Sequence, residues 1–309
     1  MARENGKVIA FGWYGGKYSH LDWLLPLLPQ ARHYCEPFGG SAAVLLNRYP
    51  SDVETYNDVD GEVVNFFRVL REQKDALIEA IGLTPFSREE FRLAIAEPEV
   101  EITELERARR FFVRARQVRT GLAQTASEGR WANCLLTSRA GMAGAVSRWL
   151  GSVEGLSEIV QRLLRVQIEN DDALAVIQRY DSPDTLFYCD PPYIHDARTD
   201  ANAYAYEMTD MQHIDLAALL HKVQGKVALS GYPCPLMDEL YGDWQRLESP
   251  TKKSHSTNTR ADAQKQDRTE YLWINYPLDP AQQAKQKTKV RQVNPTVYSA
   301  QLYDEQNGV

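Results

Sequence analysis

The chain has 309 residues, 43% apolar and 25% charged, with a net charge of −7 at pH 7. That is enough for a sizeable core, as one large domain or as a domain carrying an insertion. It contains no run of about 18 apolar residues to span a bilayer and no secretory leader, and its four cysteines lack zinc or redox spacing, so no membrane partner and no metal are expected and a reducing cytoplasm is the natural setting.

In chain order, RHYCEPF (32–38) reads as a strand that runs into Gly39-Gly40-Ser41 and then the helical AAVLLNRY. VETYND (53–58) is a second strand, followed by a helix from about 61. Apolar residues at three- and four-residue spacing predict helices over 87–97 and 103–119, and 120–155 is glycine-rich and irregular, with a helix around AVSRWL. Strand VQIEN near 166 and helix DALAVIQRY resume the alternation. TLFYCD, MQHIDLAALLHKV, KVALSGY and PLMDELYG continue it as strand, helix, strand, helix, and WQRLES and TEYLWINY close it as two successive strands. Alternation of this kind predicts an α/β fold with a doubly wound, mostly parallel sheet and an antiparallel edge hairpin. The break in the alternation predicts an inserted, all-helical subdomain at 66–155. Residues 1–65 and 156–278 then form one domain, and 279–309 a polar tail.

The charge is unevenly placed. Fifteen acids face five bases from 51 to 106, whereas 107–148 holds nine arginines against one acid, Glu128. Such a patch inside an acidic chain points to an anionic partner. Arg107 and Arg110 have acids at helical spacing. Arg114, Arg116, Arg119, Arg130 and Arg139 do not, and are the candidates for contact with that partner. The polar stretch 249–270, with Lys252, Lys253 and Arg260, reads as a second contact loop.

Three motifs fall at strand ends, where doubly wound sheets bind ligands. EPFGGS sets Glu36, Phe38 and Gly39 on a turn that lets backbone approach a ligand. Asp58 ends the second strand, where a carboxylate commonly accepts from ribose hydroxyls, although a helix N-cap is the plainer reading. DPPY (190–193) ends the TLFYC strand. Its carboxylate needs partners if buried, and its prolines remove two donors, so the carbonyls of Asp190 and Pro191 face outward as acceptors. With the Tyr193 ring, these acceptors make a site for a planar amine.

Together these motifs resemble the Dam-type DNA adenine-N6 methyltransferases. WYGGKYSHLDWLLPLLP, EPFGGSAAV, YNDVDGEVVNFF, NDDALAVI, DPPY, LSGYPCPLMDELY and TEYLWINY stand in the family's order over about 8–276, with Ser41-Ala42 departing from its usual glycine turn. The resemblance implies S-adenosylmethionine as cofactor, bound by Trp13, Lys17, Glu36, Phe38, Gly39, Asp58, Asp172 and Asp190, with Asp171 a rival for Asp172. Asp190, Pro191 and Tyr193 would be catalytic, Tyr193 stacking on a flipped adenine. Double-stranded DNA is the implied partner, gripped by the insertion, and a cognate restriction endonuclease is a candidate partner. A cytoplasmic protein of bacterial or phage origin is implied. Transfer to cytosine N4 and a catalytically silent nucleotide- and DNA-binding module are the alternatives.

Overall fold

The computed structural model describes residues 6–119, 123, 126–194, 206–253 and 268–279, the side chains of 251–253 and 268 excepted. A short helix α1 (Leu21–Leu24) precedes β1 (His33–Glu36), α2 (Ala43–Asn47), β2 (Val53–Asn57) and α3 (Gly61–Glu72). Helices α4 (Lys74–Gly82), α5 (Arg88–Ile95) and α6 (Glu104–Gln117) follow. Next come the small strands β3 (Ser138–Arg139) and β4 (Met142–Ala143), then α7 (Gly144–Glu154) and α8 (Leu156–Leu163). The alternation resumes with β5 (Gln167–Glu169), α9 (Ala173–Tyr180), β6 (Thr185–Cys189), α10 (Asp210–Leu220), β7 (Lys226–Gly231) and α11 (Pro235–Tyr241). Strands β8 (Gln245–Lys253) and β9 (Arg268–Ile274) end it.

The seven-stranded sheet has the order β5-β2-β1-β6-β7-β9-β8. The first five strands run parallel, and β9 and β8 are antiparallel. From β1 the chain winds outward to β2 and later, in the other direction, to β6. The crevice between the ends of β1 and β6 is therefore the switch point at which such sheets bind ligands. Strand β6 is buried along its whole length, as a central parallel strand covered on both faces must be. Its carboxyl end delivers Asp190 to the crevice.

The region between β2 and β5 differs from the all-helical expectation. Ala140 and Gly141 both have positive φ, +52° and +76°, the geometry that closes a tight β-hairpin, and they join β3 to β4. The structure adds helix α8, where LSEIVQRL buries Leu156, Ile159, Val160 and Leu163 on one face. The helices also share one apolar cluster with the sheet: Phe111, Phe112 and Trp149 pack in continuity with Tyr34, Leu46 and Tyr56.

Candidate active site

The glycine turn after β1 threads between two rings. A Cβ on Gly39 would fall 2.1 Å from the Tyr56 ring, and one on Gly40, whose φ is +48°, would fall 2.7 Å from the Trp13 indole nitrogen. Only glycine fits either place. Strand β2 pins the turn: the Gly39 amide donates to the Asn57 carbonyl at 2.8 Å, the Tyr56 hydroxyl donates to the Gly40 carbonyl at 2.7 Å, and the Gly40 amide donates to Asp58 at 2.7 Å. Asp58 also accepts from the Asp60 amide at 2.9 Å. The N-cap of α3 is Asp60, not Asp58, so Asp58 is left to face the crevice.

That crevice is a cavity of about 460 Å³. Glu36, Phe38, Gly39, Asp58, Asp172 and Asp190 all line it, with Trp13 and Lys17 closing one side. Tyr206 also lines it, as do Gln212 and Asp215, which the sequence did not single out. Asp172 caps α9, accepting from the Leu174 and Ala175 amides, yet still borders the cavity. Its rival Asp171 is held 2.6 Å from Arg179 instead. Pro191 and Tyr193 are buried behind the lining.

The cavity walls carry acids whose ionised forms their surroundings do not fully compensate. Burial raises Glu36 to about 8, although Tyr34 donates to it at 2.6 Å. Burial likewise raises Asp58 to about 6, against the amide bonds it accepts. Lys17, 3% exposed, lies 2.6 Å from Asp190, 3.2 Å from Glu270 and 2.7 Å from the Gly15 carbonyl. Burial alone would lower Lys17, but the two carboxylates outweigh it and its pKa is raised. Asp190 is raised as well, because burial and the second carboxylate, Glu270, together outweigh the shared lysine. Under-neutralised acids of this kind fit a cationic ligand.

Tyr193 is 5% exposed. Its hydroxyl lies 2.8 Å from Glu270 and 3.1 Å from Asp190, Lys17 stands over its ring, and Tyr232 packs edge-on at 4.8 Å. Stacking on a base requires that ring to be bared. Glu270 was missed at the sequence level, although a signal existed: in TEYLWI it shares the inward register with Leu272 and Ile274, where an acid is out of place.

The arginine count misled in part. Arg107 and Arg114 both bind Glu62 of α3, at 2.6 and 2.9 Å, and Arg109 bridges Glu90 and Glu106. Arg110 also takes Glu106. Arg114 therefore does not lack a carboxylate, contrary to its spacing in the sequence, because α6 packs against α3 and meets Glu62 in that helix's first turn. Arg119, Arg130 and Arg139 are exposed. Arg116 and Arg139 line a hollow with Arg148, and among the described residues no ion pair of Arg116 is found. Burial and then the like charge of Arg148 lower Arg116 to about 10. The side chains of Lys252, Lys253 and Arg260 lie outside the described residues, as do most of the 249–270 loop and the 279–309 tail.

A mostly parallel, doubly wound sheet with an acid-lined cavity at its switch point defines a Rossmann-like α/β protein with a small-ligand site at the strand ends. Residues 13–255 match the family of D12 class N6 adenine-specific DNA methyltransferases, and the chain belongs to that family. The reaction that defines this family is methyl transfer to the N6 of adenine in DNA, not to N4 of cytosine. Among its relatives, a DNA N-6-adenine-methyltransferase of Escherichia phage P1 is 26% identical over 82% of this chain, which covers 33% of that protein. The type II methyltransferase M1.LlaDCHI of Lactococcus lactis is 26% identical over 85% of this chain and 94% of its own. A DNA adenine methylase of Vibrio cholerae is 38% identical over 21% of this chain and 24% of its own. A solved rRNA methyltransferase from Streptomyces viridochromogenes aligns over 82% of this chain and 81% of its own at 12% identity and a TM-score of 0.31, too loose to compare site residues.

Proposed function

We propose that Asp190 and the Pro191 carbonyl accept the two amino hydrogens of an extrahelical adenine, while Glu36, Asp58 and Asp172 hold S-adenosylmethionine in the adjoining cavity. The observation that carries this is the placement of Asp190 on the wall of a cavity that Glu36, Asp58 and Asp172 also line, the first two raised in pKa by burial. The bound cofactor would supply an electrophilic methyl on a sulfonium. Glu36, buried beside Trp13 and the glycine turn, suits its ammonium end. Asp58 suits the ribose hydroxyls and Asp172 the adenine amine.

The exocyclic amine of adenine is conjugated into its ring and is a poor nucleophile. Two acceptors placed out of the ring plane draw the nitrogen toward tetrahedral geometry and free its lone pair. Asp190 then stabilises the positive charge that grows on nitrogen, which needs a positioned carboxylate rather than a strong base. Tyr193 is assigned to stacking once the base has entered, at a few kcal/mol of unstacking for the duplex.

For the duplex, Arg116, Arg119, Arg130 and Arg139 supply phosphate or base-edge contacts, joined by Arg148 at the hollow between α6, α7 and the small hairpin. Lys252, Lys253 and Arg260 form a second clamp, residues 66–155 act as the recognition unit, and a cognate endonuclease would share its target site. Incubating unmodified DNA with the protein and methyl-labelled cofactor, then digesting to nucleosides for mass spectrometry, tests the whole reading. N6-methyladenine carrying the label supports it, and label on cytosine or none at all rejects it.

A further inference from the structure

We infer that Glu270 is a positioning residue for methyl transfer: from β9 it grips Lys17 and draws off the Tyr193 hydroxyl proton, leaving a lone pair of Asp190 open to the target amine. This rests on the reading of Asp190 as the acceptor of that amine.

Glu270 is 3% exposed and shares its strand face with Leu272 and Ile274. A buried carboxylate is costly there relative to a packed apolar side chain, so the fold alone gives no reason for it. Its partners give one. The three ammonium protons of Lys17 face three acceptors: Gly15 at 2.7 Å, Asp190 at 2.6 Å and Glu270 at 3.2 Å. The Tyr193 hydroxyl has a single proton and two carboxylates in reach, Glu270 at 2.8 Å and Asp190 at 3.1 Å. When the proton goes to the nearer oxygen, Asp190 Oδ1 does not have to accept it and can accept from adenine. The far oxygen of Glu270 lies 3.3 Å from His20 Nε2, and the other ring nitrogen of that histidine lies 3.2 Å from Ser249 of β8. The edge hairpin thus reaches the reaction centre through one side chain.

Glu270 also sets the charge around Asp190. The titratable groups that face Asp190 are Lys17 from the N-terminal segment, Glu36 from β1, Tyr188 and Cys189 on β6, Tyr193 after it, and Glu270 from β9. Glu270→Gln keeps an oxygen for Tyr193 and Lys17 but removes the negative charge. Lys17 then leans on Asp190 alone, and Asp190 holds its proton less tightly.

The test is kcat against pH for the wild type, Glu270→Gln, Glu270→Asp and Asp190→Asn, with cofactor affinity by calorimetry and folding by circular dichroism. For Glu270→Gln the plateau should fall about tenfold, because a neutral amide oxygen competes less well than a carboxylate for the Tyr193 proton and leaves it to Asp190. Its acid limb should move to lower pH while cofactor affinity stays within twofold. Glu270→Asp keeps the charge at a shorter reach, so its plateau should fall with the acid limb unmoved. A Glu270→Gln variant with the wild-type plateau and acid limb overturns the inference. Should that variant fail to fold, Glu270→Asp decides: a lowered plateau with an unmoved limb supports the inference, and full activity overturns it. Asp190→Asn distinguishes the two levels, because appreciable turnover by it would reject Asp190 as the acceptor whatever Glu270 does.

Discussion

The strand-end cavity and the end of α6 carry opposite charges and hold them in the same way. In the cavity, Glu36 and Asp58 are pushed up to about 8 and about 6 because burial outweighs the bonds they accept. At the hollow beside α6, Arg116 is pushed down to about 10 by burial and by Arg148. Each region is left short of counter-charge, one toward a cation and one toward an anion. The contrast lies inside α6 itself. Arg107, Arg109, Arg110 and Arg114 are spent on Glu62, Glu90 and Glu106, within α6 and across to α3 and α5. Unspent charge costs stability in the empty protein, so it marks where a ligand is expected, whereas spent charge marks structure.

Removing the acceptor itself should produce the largest effect. Asp190→Ala should lower kcat by at least about 10²–10³-fold, the usual loss when a group that stabilises developing charge is deleted. Cofactor affinity should stay within a few-fold, since the sulfonium side of the cavity is intact. Labelled methyl transfer beside calorimetry checks both, and a variant that turns over at the parental rate would remove Asp190 from the mechanism. Tyr193 comes next. Tyr193→Phe keeps the ring and removes the proton that Glu270 holds away from Asp190, so the acceptor stays open and activity should fall by a few-fold at most, through loss of the bond that steadies the ring. Tyr193→Ala should add a further loss on paired duplexes that a mismatched target base relieves. Equal losses on both substrates would count against stacking.

Asp58→Ala should weaken cofactor binding by roughly 10–100-fold through loss of a charged acceptor. Unchanged calorimetric affinity in the folded variant would reject the ribose role. For Glu36 the sign can be worked out. Its folded pKa of about 8 lies above the ordinary 4.5, so the folded chain keeps a proton that the unfolded chain releases. Stability therefore falls as pH rises from about 4.5 to about 8 and levels off beyond. At pH 7, binding an ammonium beside Glu36 should expel that proton, so the apparent binding enthalpy should vary with buffer ionisation enthalpy. Glu36→Gln should abolish the variation, weaken the cofactor and raise the apo melting temperature at pH 8. A buffer-independent enthalpy in the parent would be incompatible with a protonated Glu36.

The cavity was legible in the sequence because its residues sit at strand ends, and strand ends converge in a doubly wound sheet whatever the loops do. Glu36, Asp58, Asp172 and Asp190 are each the last acid of a hydrophobic run or the cap just after it. Glu270 escaped because the hairpin that carries it enters the sheet from the opposite edge of the chain, and nothing local couples TEYLWI to Lys17. Arg114 was misjudged for a related reason: its partner Glu62 lies fifty-two residues away on α3, beyond any helical spacing. The hairpin of β3 and β4 escaped because two-residue strands have no period to read.

The smallest effects, and the sharpest test of the contrast within α6, come from two arginines one half-turn apart. Arg114 is read as structural and Arg116 as a ligand contact. Arg114→Ala removes a bond to Glu62 and one to the Ala94 carbonyl. Both charges of that pair are partly exposed and Glu62 retains Arg107, so the cost to stability should be roughly 0.5–1 kcal/mol, with no change in the salt dependence of DNA affinity. Arg116→Ala removes a cation that repels Arg148, so stability should hold or rise slightly. If Arg116 meets a phosphate, its loss should weaken binding to all sequences alike and reduce the slope of log affinity against log salt by about one. If it meets a guanine edge, the loss should be about 1–3 kcal/mol and should relax one position of the target site. Melting curves and DNA titrations at four salt concentrations on both variants separate these outcomes. Should Arg116→Ala lose stability and keep its DNA affinity while Arg114→Ala does the reverse, the assignment of spent and unspent charge along α6 is inverted.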